Sequence, residues 1–150
     1  MHQSRFLWAG LFALLALFIS AELFAQADVI EKRQKLMKSN SENAKAIKAA
    51  AEAKEYATIE TKARDIIGNS EKIPDLFPTG STQGKTKAKA EIWEKQDDFK
   101  KAAKNLGKAA GELADAAKAK DDAAVPVKVK ALGDACGSCH KAFRAEKYPE

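Results

Sequence analysis

The sequence predicts an all-α protein, an antiparallel four-helix bundle, on three observations. Ala and Lys are abundant while β-branched and aromatic residues are few, a composition that favours helix over strand. Apolar residues recur at helical spacing in four stretches joined by short breaks. The last stretch carries Cys136-Gly137-Ser138-Cys139-His140, which sets two thiols and an imidazole on one face of a helix turn.

Residues 1–27 come first and read as a cleaved export signal. His2 and Arg5 open it, Phe6 to Ala21 is almost unbroken apolar sequence, and Ala25-Gln26-Ala27 is a small-x-small cleavage site. The apolar run approaches spanning length, so an uncleaved anchor is the alternative; Glu22 and the Ala-x-Ala site favour cleavage. Residues 28–150 then form one domain, placed in the periplasm.

The first helix is expected over Asp28–Lys54, with Val29, Leu36, Met37, Ala44, Ile47 and Ala51 on its apolar stripe and Arg33 and Asn40 among them. The second, Ala57–Lys72, shows Ile59, Ala63, Ile66, Ile67 and then Ile73 on one side. Pro74, Pro78, Gly80 and Gly84 break the pattern and predict a loop from Pro74 to Gly84. The third helix, Lys87–Lys120, repeats Ile92, Phe99, Leu106 and Leu113 every seventh residue, with Gln96, Ala103, Ala110 and Ala117 in the companion seam. Gly107 and Gly111 on it would allow close backbone approach.

Asp121 and Asp122 are candidate caps for the fourth helix, where Pro126 is tolerated only in the opening turn. Val125, Val129, Leu132, Cys136, Cys139 and Phe143 alternate at spacings of four and three, so the cysteines belong to the core side. A core of Ala, Ile and Leu is thin for this length, and a large apolar cofactor would add buried area. The formal charge of +5 reads as a solvated basic surplus spread along helices, and no cluster demands nucleic acid.

Cys-x-x-Cys-His is the pattern of covalent haem attachment: each thiol adds to one vinyl group and the following imidazole ligates the iron. A redox dithiol would need a neighbouring βαβ pattern, and none is present. A closed zinc site needs four ligands, and the chain has two cysteines. A disulfide across one turn of continuous helix would be strained and would leave His140 without a role. The predicted cofactor is one covalent haem c, held by Cys136 and Cys139, with His140 as axial iron ligand. After signal removal the chain holds one histidine, His140, and one methionine, Met37. A sulfur or imidazole at the sixth position must therefore come from Met37, whose ordinary alternative is filling a gap in the core.

The C-terminal motif, four helices, and the fragments Leu76-Phe77-Pro78 and Glu91-Ile92-Trp93 resemble the class II c-type cytochromes, the cytochrome c-prime family, over the whole mature chain. In five-coordinate members a helix-one arginine is followed four residues later by an apolar residue covering the distal haem face. Arg33 matches that arginine, and Met37 occupies the covering position, as in the low-spin branch where methionine ligates the iron. Gln34-Lys35-Leu36-Met37-Lys38 is also similar to that branch. The resemblance thus implies Met37 as distal ligand, Arg144 near the proximal haem face and Trp93 lining the pocket. Packing for Trp93 and solvation for Arg144 are the plainer alternatives, and Lys141 and Lys147 read as surface.

His/Met ligation implies a non-enzymatic carrier of single electrons between periplasmic redox proteins, with lysines near the haem edge steering acidic partners. The alternative is a high-spin protein that binds nitric oxide or carbon monoxide at an open distal face. The resemblance also implies a possible homodimer through the first two helices.

Overall fold

A computed structural model gives the fold. It describes residues 3–82 and 84–148, with side chains from Ala27 onward. The side chains of the expected signal before Ala27, and residues 1, 2, 83, 149 and 150, lie outside the described residues.

The described residues form five helices: α1 (Gln3–Glu52), α2 (Tyr56–Lys72), α3 (Glu91–Glu94), α4 (Gln96–Lys118) and α5 (Ala124–Phe143). A 3₁₀ turn at Pro74–Leu76 sits inside the expected loop. The four long helices pack as a bundle in which α1 touches α2, α2 touches α4, α4 touches α5, and α5 closes on α1. That order is the antiparallel arrangement expected of helices with short connections. The α5–α1 seam is much the slackest of the four.

Burial follows the predicted stripes on α2 and α4, whereas on α1 Ile30, Asn43 and Ala50 are buried and the expected Val29, Ala44 and Ala51 beside them are only half-buried. Ile47, Ile59, Ile66 and Leu113 are each at most 1% exposed. Burying such a side chain contributes about 1.5–3 kcal/mol, so this layer dominates the far half of the bundle. Across α2 and α4 the backbones come close at Gly107, where an added Cβ would lie 2.5 Å from Ser70 Oγ. That close approach is the one anticipated for Gly107.

Three expectations need correction. The third helix is divided: α3 and α4 are separated at Lys95 (φ −124°, ψ 53°), and Lys87–Ala90 is not helical. Those residues pair instead with the chain end, Lys89 N donating to Phe143 O at 3.0 Å and Ala145 N to Lys87 O at 2.8 Å. Gln96, expected in the seam, is exposed, while Ile92 and Phe99 on either side of the break are buried. Capping of α5 falls to Asp121 alone, whose Oδ1 accepts from Ala123 N at 3.0 Å and Ala124 N at 2.8 Å. Asp122 instead accepts from Tyr56 Oη and Lys54 Nζ, tying the turn after α1 to the turn before α5.

Candidate haem site

At the other end of the bundle α5 presents Cys136, Cys139 and His140. The cysteines are half-buried and pack against the core edge rather than within it, and His140 is exposed overall. Both thiols are free. Burial pushes the Cys136 thiol up from its ordinary value, and burial followed by the neighbouring Cys136 does the same for Cys139. Burial, then the nearby Arg144 charge, lowers the His140 pKa. A neutral imidazole is the form that ligates a metal.

Cys139 and His140 open onto a cavity of about 220 Å³ lying in the slack seam between α1 and α5. Its wall takes Arg33, Gln34 and Met37 from α1, Phe77 from the loop, Ile92 and Phe99 from α3 and α4, and Phe143 from α5. The aromatic rings form a chain of edge contacts, Phe77 to Phe99 at 4.9 Å and Phe99 to Phe143 at 5.2 Å between centroids. Such pairs add about 0.5–1.5 kcal/mol beyond the area they bury, so this wall is stiff. A second cleft of about 460 Å³ shares Cys139 and Phe143 and runs between α4 and α5, past Ala102 and Asn105 on one side and Ala135 on the other.

Arg33 is the unusual member. It is 3% exposed, stacks its guanidinium 4.7 Å over the Phe77 ring, and donates from Nη2 to Ser81 O at 2.6 Å. Its Nε has no hydrogen-bond partner, and among the described residues no carboxylate pairs with it. Burial lowers its pKa. An unpaired cation with an orphaned N–H at a cavity wall is costly unless an anion or acceptor completes it.

The residues present fit a haem. Two thiols and an imidazole share a face, the facing wall is apolar and aromatic, the seam has room for a flat group, and Arg33 offers a buried cation for an acidic edge. Arg144 and Met37 line the cavity. Trp93 does not: its Nε1–H is shared between Pro78 O at 2.9 Å and Phe77 O at 3.2 Å, so it pins the loop that carries Phe77. Sequence reading missed Gln34, Lys87 and Tyr148, which also line the cavity. Gln34 directly follows Arg33 and donates to Lys85 O at 2.8 Å. Gly84, at φ +104°, makes the left-handed turn that brings this segment back onto α1.

The family model described as Cytochrome C' matches residues 28–144. The chain is 35% identical to a cytochrome c′ of Rhodospirillum rubrum over 96% of this chain and all of that one. It is 36% identical to a cytochrome c-556 of Agrobacterium fabrum, covering 81% of this chain and 84% of the relative. A solved cytochrome c′ described as having an unusual ligand-controlled dimer dissociation superposes with a TM-score of 0.73 at 29% identity, over 81% of this chain and 97% of that one. With Cys136, Cys139 and His140 at the motif's three positions, an all-helical bundle around them and the match spanning residues 28–144, the chain belongs to the cytochrome c′ family and carries covalent haem c.

Proposed function

We propose that the mature chain is a periplasmic carrier of single electrons, its haem iron held by His140 from α5 and Met37 from α1. Export by residues 1–27, with cleavage after Ala27, leaves 123 of the 150 residues. One observation carries the ligand assignment: Met37 and His140 line the same cavity from different helices, and residues 28–150 contain no other methionine or histidine.

When bound, the haem supplies a one-electron couple at its iron, and a thioether ligand raises its potential. The chain's residues set the conditions. Cys136 and Cys139 anchor the group to one rigid helical turn. Partial burial of the ring, then the Arg144 charge, disfavour protonation of His140 and so favour the form that can ligate. Phe77, Phe99 and Phe143 exclude water from the wall, which disfavours extra positive charge there. The buried Arg33 cation acts in the same direction.

The comparisons favour a second reading over this one, namely reversible binding of nitric oxide or carbon monoxide at an open distal face. The Rhodospirillum relative and the solved structure both carry the name cytochrome c′, and the dimer of the latter dissociates under ligand control. In that reading Met37 fills the cavity without ligating, and a homodimer through α1 and α2 responds to the gas.

One experiment separates the two. Protein purified from a periplasm, of the mass of the 123-residue chain plus one haem, should show the weak far-red ferric band of sulfur–iron ligation. Met37→Leu should abolish that band and admit carbon monoxide rapidly. Unhindered uptake of carbon monoxide by the unaltered protein, with a change in its sedimentation, would establish the second reading instead.

A further inference from the structure

The basic surplus, expected to be spread along the helices, is instead gathered in one place, because two segments largely outside the long helices meet there. The Ala88–Arg144 bridge and its flanking hydrogen bonds lay residues 84–90 beside residues 140–148, far apart in sequence. Together these segments carry Lys85, Lys87, Lys89, Lys141, Arg144 and Lys147 against a single carboxylate, Glu146. Their surplus equals the +5 of the whole chain, so the remaining sequence balances to zero. Glu91 and Glu94 on α3 border the patch.

Among the described residues none of the six cations lies within ion-pair distance of a carboxylate, whereas nine lysines and arginines elsewhere do. Three of the heads, those of Lys85, Lys87 and Lys89, are held by uncharged groups. Lys87 Nζ donates to Glu146 O at 2.8 Å and Lys89 Nζ to Lys141 O at 3.0 Å. The Lys85 and Lys87 ammoniums face one Tyr148 ring at 5.5 and 4.8 Å. Carbonyls and a ring face orient a cation without cancelling its charge, so the patch keeps its field despite the self-repulsion that costs stability. Lys87, Arg144 and Tyr148 are also cavity wall, beside Cys139 and His140.

On the electron-carrier reading above, we propose that this patch is the docking surface for an acidic redox protein, which would meet the chain directly over the haem edge. Two haem propionates would offset part of the surplus and leave it positive. A partner with carboxylates around its own redox centre fits by sign, and such contacts are small and short-lived, their rate set by electrostatic steering.

The test uses the holoprotein and a purified acidic blue-copper protein, mixed by stopped flow at low and high salt. The triple variant Lys85→Gln, Lys141→Gln, Lys147→Gln spares the cavity wall. It should lose roughly tenfold in second-order rate at low salt and most of its salt dependence. A control triple of exposed lysines, Lys45→Gln, Lys48→Gln, Lys104→Gln, removes equal charge elsewhere and should stay within about twofold. Equal slowing in both triples, or none in the first, overturns the surface while reversible reduction by hexaammineruthenium keeps the carrier reading. A holoprotein that the ruthenium complex does not reduce removes both.

Discussion

At the scale of single residues, Arg33 has a role that its burial alone does not explain. A guanidinium at 3% exposure, with Nε unpartnered and a lowered pKa, opposes any gain of positive charge in its cavity. The ferric state carries one more positive charge than the ferrous state, so a fixed cation nearby favours reduction. Arg33→Met should therefore lower the reduction potential of the holoprotein, measured by redox titration; an unchanged or raised potential would show that the charge acts elsewhere. Met37 differs in kind. Its candidacy as the sixth ligand came from the sequence alone, because only one methionine and one histidine follow residue 27, a count that needs no geometry. Tyr148 was illegible for the opposite reason. Nothing near it in sequence marks it, and only the pairing of the chain end with Lys87–Lys89 carries it to the cavity.

At the scale of elements, the α2–α4 contact depends on one missing methyl group. Gly107→Ala gains about 1 kcal/mol of helix propensity, yet its Cβ would overlap Ser70 Oγ at 2.5 Å. That hydroxyl is engaged with Ile67 O at 2.7 Å, so it cannot turn away freely. Overpacking costs about 1–3 kcal/mol, and the net change should be destabilising by about 1 kcal/mol in urea denaturation. Adding Ser70→Ala leaves the nearest side-chain atom at 3.6 Å and should return most of the loss. The order of the four long helices and the buried faces of α2 and α4 were readable from periodicity, and α2 and α5 fall within a few residues of expectation. The break at Lys95 was not. Ile92 and Phe99 remain buried on either side of it, so the seven-residue repeat runs across the interruption unmarked. The loss of helix at Lys87–Ala90 comes from hydrogen bonds to residues more than fifty positions away, which no local pattern records.

At the scale of the whole molecule, the two ends of the bundle are held differently. The far end is clamped by Asp122, whose carboxyl is kept below its ordinary value of 3.8 by the Tyr56 hydroxyl first and Lys54 second. A carboxylate with a depressed folded-state pKa contributes stability that is complete above its unfolded value and fades as pH falls through the folded one. Asp122→Asn should thus be less stable than the parent at neutral pH, and thermal melts of the two should converge below 3.8. Melts that stay equally far apart in acid would assign the difference to packing.

At the haem end no such clamp joins α1 and α5 among the described residues, and their contact is the thinnest in the ring. Parting two helices costs in proportion to the surface they share, so of the four sides of the bundle this one takes the least to open. A flat group fastened to the last helix would press on the weakest of the four walls, and the first helix is the one that would have to yield.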